Sequence, residues 1–119
     1  MSNRLRKVKA LQNTISTING IADIRHEDGL GAYYSSPRLG TKEFIAAAVQ
    51  LKSFSVAVGN YSYFLIRNEK RRGEWGWWYA YRKVEGKVYK AYVGKTESIT
   101  VARLISIDTV LTTKARGEG

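Results

Sequence analysis

The sequence predicts an α+β protein, a small antiparallel sheet carrying two or three helices and including one basic, aromatic β-hairpin. Three features point that way: a segment with apolar residues at helical spacing near the N-terminus, two stretches of β-branched and aromatic residues broken by glycine turns, and a helical run near the C-terminus. With 119 residues, 44% hydrophobic and 25% charged, the chain is expected to form a single domain over 1–119 with its own core.

Residues 4–18 place Leu5, Val8, Leu11, Ile15 and Ile18 at three- and four-residue intervals, the pattern of an amphipathic helix. Its other side carries Arg4, Arg6, Lys7 and Lys9, either a solvated helix start or a basic arm for phosphates or an acidic partner. Asn19-Gly20 is a suitable stop. Residues 21–36 read as a loose hairpin or an extended loop around Asp28-Gly29. After Pro37 and Gly40, Thr41 is a plausible N-cap for a helix over 41–52, with Phe44, Ile45, Ala48, Val49 and Leu51 as its core side. The period then changes to two: Phe54, Val56 and Val58 alternate with Ser55 and Ala57, Gly59-Asn60 turns the chain, and a hairpin over 53–67 results.

The run Asn68–Glu74 reads as a polar loop, in which Lys70, Arg71 and Arg72 are either solvated or in reach of phosphates. It leads into the aromatic hairpin over 75–94. This hairpin and the adjoining Lys95 hold all three tryptophans together with Tyr79, Tyr81, Tyr89 and Tyr92, interleaved with five basic residues. If Glu85-Gly86 is a two-residue loop, Val84 opposes Lys87 and Tyr79 opposes Tyr92. Trp78, Ala80, Arg82, Val84, Lys87, Tyr89, Ala91 and Val93 then share one face, suited to packing under the C-terminal helix. Trp77, Tyr79, Tyr81, Lys83, Val88, Lys90 and Tyr92 share the other, which is flat, aromatic and cationic. A helix over 99–112, capped by Thr100 or Ser98, and a frayed tail over 113–119 complete the chain.

Charge narrows the class of partner. Twenty Lys and Arg against ten Asp and Glu give +10, and residues 67–95 hold nine Lys or Arg against three Glu, a net of +6. Polyanions are the natural partners of such a surface, nucleic acid first and DNA ahead of RNA. A second copy of the chain or an acidic protein is the alternative partner, docked on the aromatic face, since Tyr and Trp suit interface hot spots. With no cysteine, disulfides and thiolate metal sites are excluded. No run of eighteen apolar residues or signal-peptide core is evident, so the expectation is a cytoplasmic protein with no membrane partner.

Catalysis is not expected, nor is any cofactor or metal. The single histidine, His26, lies in Arg-His-Glu-Asp-Gly and reads as part of a solvated turn, with no second histidine for a familiar ligand set. Gly29 and Gly31 lack the third glycine and the strand-to-helix setting of a nucleotide loop, and no Arg/His set for a tyrosine nucleophile can be assembled.

The run Trp78-Tyr79-Ala80-Tyr81-Arg82, then Gly86-Lys87, Lys90-Ala91-Tyr92-Val93-Gly94-Lys95 and a Thr100-led helix with Arg103-Leu104, resembles a short segment of bacterial, plasmid and phage proteins. It is also similar to the three-stranded-sheet-plus-helix DNA-binding modules at the N-termini of some tyrosine integrases and in AP2-type domains. The resemblance spans about 30 residues. It implies a sheet face laid into the DNA major groove in a regulatory or accessory role, with Arg82, Lys83, Lys87 and Lys90 as contacts. Together, charge, stacking chemistry and resemblance give Arg71, Arg72, Trp77, Tyr79, Tyr81, Arg82, Lys83, Lys87, Lys90, Tyr92 and Lys95 as the candidate nucleic-acid-binding set.

Overall fold

The computed structural model describes residues 13–117. Among the described residues, seven strands and two helices make an α+β arrangement: β1 (Thr14–Ser16), β2 (Ile21–Asp28), β3 (Gly31–Ser35), α1 (Lys42–Ala48), β4 (Ser53–Val58), β5 (Ser62–Arg71), β6 (Glu74–Val84), β7 (Lys87–Lys95) and α2 (Val101–Ala115). They form one sheet in the order β3-β2-β1-β4-β5-β6-β7. All neighbours are antiparallel except β1 and β4, which run parallel, so the sheet is mixed.

The first departure from the sequence pattern lies at the N-terminal segment. Residues 14–16 are a strand, and Ile18 is exposed in the following turn, so the helix expected over 4–18 does not extend that far; residues 4–12 lie outside the described residues. The physical reason is that Thr14, Ile15 and Ser16 find ladders on both sides, Ile15 opposite Ala22 and beside Val56. β-branched residues fit such a pleated position better than a helix. Gly20, at φ 69, closes the turn, its N–H donating to the Ser16 carbonyl.

Residues 21–35 form a hairpin, β2 with β3, in which His26 sits in a strand opposite Tyr33 rather than in a turn. α1 is shorter than 41–52. The Thr41 hydroxyl accepts from Phe44 N–H at its start, as expected of a cap. At its end Asn68 of β5 draws the chain away, its side-chain amide donating to Leu51 O and its backbone N–H to Lys52 O. At the C-terminus Thr100 is the cap, Thr96–Ser98 form a short 3₁₀ turn, and α2 runs three residues further than the expected 112.

Asn68–Glu74 is not a loop. β5 continues through Arg71, and only Arg72 and Gly73 separate it from β6. Both have positive φ, 53° and 81°, and Glu85 and Gly86 repeat the geometry at 51° and 84°. Two turns of the I′ kind, each a residue followed by glycine, thus fold β5, β6 and β7 into one continuous meander.

The core lies between this sheet and the two helices, α1 contributing Phe44 and Ala48. Phe44, Phe54 and Trp78 form a chain of tilted rings with centroids 5.8 Å apart, surrounded by Ile15, Ile24, Val56, Ile66, Val93, Ile99, Leu104, Ile107 and Leu111. α2 packs chiefly on β7 and also touches β4, β5 and β6. It occupies one side of the β5–β7 meander and leaves the other side of these three strands uncovered among the described residues.

Candidate nucleic-acid interface

Strand alternation sorts the meander. Toward α2 point Phe64, Ile66 and Asn68 of β5, Trp78 and Ala80 of β6, and Ala91 and Val93 of β7, all buried. Away from it point Leu65, Arg67 and Glu69 of β5, Trp77, Tyr79, Tyr81 and Lys83 of β6, and Val88, Lys90 and Tyr92 of β7. The ladder pairs Val84 with Lys87, Lys83 with Val88 and Tyr79 with Tyr92, the register of a two-residue loop at Glu85-Gly86.

A bulge then intervenes. Trp78 pairs with Gly94 while Tyr79 pairs with Tyr92, so one extra residue, Val93, sits on β7. The shift turns Lys95 onto the open face opposite Trp77, where strict alternation from Tyr92 would have put it with the core. Gly94 permits the distortion: its φ is 132°, and a Cβ there would stand 2.7 Å from Ser98 Cβ.

On the open face the cations lie over rings. Lys90 Nζ is 4.4 Å from the Tyr79 centroid and 5.5 Å from that of Tyr81; Arg71 is 4.6 Å from Tyr79, Arg67 5.6 Å from Tyr81, and Lys95 4.3 Å from Trp77. Tyr92 tilts against Tyr79 at 5.0 Å and Trp77 at 6.3 Å. Each such contact at a partly exposed ring is worth roughly 0.5–1 kcal/mol, enough to hold a flexible side chain in place. Glu69 organises the centre: it accepts from the Tyr81 hydroxyl, pairs with Arg71 at 3.1 Å and lies 3.8 Å from Lys90. Burial first, and then this hydrogen bond, push the Tyr81 phenol above its ordinary pKa, with Lys90 opposing.

The expected set therefore divides. Arg71, Trp77, Tyr79, Tyr81, Lys83, Lys90, Tyr92 and Lys95 share the open face. Arg72 stands exposed in the β5–β6 turn. Lys87, beside the other turn, leans back over Tyr89, 5.5 Å from its ring, on the α2 side. Arg82 is on the α2 side as well: it pairs with Asp108, donates to Thr112 Oγ1 at 3.1 Å, to Ser62 Oγ at 2.8 Å and to the Tyr63 carbonyl at 3.1 Å. With these partners it ties α2 to the sheet, on the side opposite the open face. Arg67 and Glu69 are on the face although sequence reasoning left them out; their alternation with Ile66 and Asn68 was the available signal.

The edge of the meander is closed by α2. Arg103 donates to the carbonyls of Val93 and Tyr92 at 2.9 and 2.8 Å, and Lys114 to that of Lys90 at 2.6 Å. These β7 carbonyls are thereby occupied, which discourages a further strand from adding there. The meander accordingly offers a partner its face more than its edge.

Elsewhere, His26 stacks on Tyr33 at 4.7 Å and 11°, and its Nε2 lies 2.8 Å from Ser35 Oγ. Among the described residues no group of three or more His, Cys, Asp or Glu side chains could hold a metal ion, and no helix is long and apolar enough to cross a membrane. No family model, curated protein or solved structure matches the chain.

Proposed function

We propose that the chain is a non-enzymatic nucleic-acid-binding protein that lays the open face of β5–β7 against duplex DNA, in a regulatory or accessory role. The observation that carries the reading is the layer of Arg67, Arg71, Lys90 and Lys95 held over Tyr79, Tyr81 and Trp77. Cations held over a ring layer, with the Arg71 and Lys90 side chains still 42% and 45% exposed, suit a phosphate backbone and the acceptor edges of guanine. Because protein cations already cover these rings, they serve as supports more than as free surfaces for stacking unpaired bases, which favours a duplex here. A strand ribbon fits the B-form major groove, whereas the deep, narrow major groove of A-form RNA excludes it.

The test is affinity for duplex DNA across a salt series. Neutralising about five phosphates through Arg67, Arg71, Lys83, Lys90 and Lys95 gives a log–log slope of roughly −4.5. The K83A/K90A/K95A protein is expected to retain its fold and lose about 2.7 of that slope. Unchanged affinity and slope would remove the face from consideration. Salt-resistant self-association that ignores DNA and RNA would instead support docking of a second copy or an acidic protein.

A further inference from the structure

Trp75 differs from the rings of the open face. It is 58% exposed, and among the described residues none of the cation–ring contacts involves it. It also forms part of the wall of two adjoining clefts, of about 290 and 400 Å³, between the start of β6 and the segment leading into β4. Lys52 and Asn68 line both; Gln50 lines the smaller, and Arg67 and Leu65 of the open face line the larger. Neither lining includes a carboxylate.

The clefts are braced from beneath. Asn68, almost completely buried, donates through its side-chain amide to Leu51 O at 3.0 Å and accepts from Gly76 N–H at 2.6 Å. One side chain thus fixes the 51–52 backbone relative to the residue that follows Trp75. A bare indole, two cations and a free amide around a braced cleft are the groups by which proteins hold an unstacked nucleotide: ring against base, cation against phosphate, amide against the base edge.

We infer that Trp75, Lys52, Arg67 and Gln50 form a subsite for an unpaired base where duplex DNA on the open face ends in a single strand. The base stacks on Trp75, its flanking phosphates meet Lys52 and Arg67, and Gln50 reaches its hydrogen-bonding edge. This rests on the duplex-binding reading of the open face. The larger cleft shares Arg67 and Leu65 with that face, so one strand leaving a bound duplex meets Trp75 without leaving the basic surface.

The experiment compares fluorescence-anisotropy affinities for one blunt duplex and for the same duplex with a short thymidine tail, at the 5′ or the 3′ end. Wild-type protein is expected to bind one of the tailed forms about five- to a hundredfold more tightly, the worth of one stacked base. W75A should abolish that preference while binding blunt duplex as wild type does, W75F should keep most of it, and K52A should reduce it. Equal wild-type affinity for blunt and both tailed DNAs overturns the subsite and leaves the open-face reading standing. A preference that W75A does not change also overturns it. Failure of wild-type protein to bind any of these DNAs overturns the open-face reading and the subsite with it.

Discussion

The two sides of the β5–β7 meander use the same residue types for opposite ends. Toward α2, Trp78 is fully buried and its indole N–H donates to Thr96 Oγ1 at 2.9 Å, while Arg82 spends its guanidinium on Asp108, Ser62, Thr112 and a carbonyl. On the open side the neighbouring Trp77 is a half-buried support for Lys95, and Lys90 rests on two tyrosines with its side chain 45% exposed. Buried cations are saturated by geometry that costs several kcal/mol to break, whereas exposed cation–ring contacts are weak enough to be shared with a phosphate. In the middle of β6 and β7 a cation's availability follows the parity of its position in the strand, and at Lys95 it follows the bulge that resets that parity.

The sharpest way to break this contrast is to truncate the two adjacent tryptophans. W78A removes a fully buried ring from the Phe44–Phe54–Trp78 chain and strands the Thr96 hydroxyl; a loss of about 3–5 kcal/mol in urea unfolding is expected. W77A should cost clearly less stability but weaken DNA binding by displacing Lys95. Equal destabilisation by both would mean that the open face is a second core.

The basic residues give the next largest effect. R82A leaves Asp108 with only the Ser62 hydroxyl as a partner and is expected to destabilise by about 2–3 kcal/mol; R82K should recover only part, because one ammonium cannot reproduce the forked contacts to Ser62, Thr112 and the Tyr63 carbonyl. K90A, which gives up two exposed cation–ring contacts, should destabilise by roughly 1 kcal/mol, clearly less than R82A, and act chiefly on DNA affinity. If R82A, at a temperature where it is still folded, lost as much affinity as K90A, Arg82 would belong to the interface after all.

How much of this was legible in the sequence follows from which interactions are local. Two-residue turns ending in glycine, at Glu85-Gly86, fix a register from nearby residues alone, and with it the separation of Trp77, Tyr79 and Tyr81 from Trp78 and Ala80. Arg72-Gly73 carries the same signal, hidden by the charges of Lys70 and Arg71, which suggest a solvated loop although both continue a strand. The strand at 14–16 depends on β2 and β4, and no local pattern outweighs the helical spacing of Leu11, Ile15 and Ile18. The sorting of Lys95 onto the face depends on the bulge at Val93-Gly94, for which a glycine inside a strand is the sequence's one hint. Alternation puts Arg82 on the α2 side, but its engagement there follows from Asp108, which lies 26 residues away in the sequence and opposes it only once α2 has docked.

The smallest effect tests whether the open face is also a titrating structural network. Tyr81 donates to Glu69, and ionising it would place a phenolate beside that carboxylate in a half-buried position; burial first and Glu69 second therefore raise its pKa above the ordinary value of about 10, despite Lys90. For a group whose folded pKa is raised, the stabilisation is fully present below the unfolded pKa and is lost as pH climbs through the folded one. Wild-type protein should consequently lose stability faster than Y81F above about pH 10, and the two should differ by a constant amount below it. Urea unfolding of both proteins across that range reads the difference directly, and the subtraction removes the other tyrosines and the lysines that titrate in the same window. Parallel curves would show that the Tyr81–Glu69 contact yields in solution, leaving Glu69 free to pair with Arg71 and Lys90, and the open face would then present less positive potential to a phosphate than the contrast between its two sides implies.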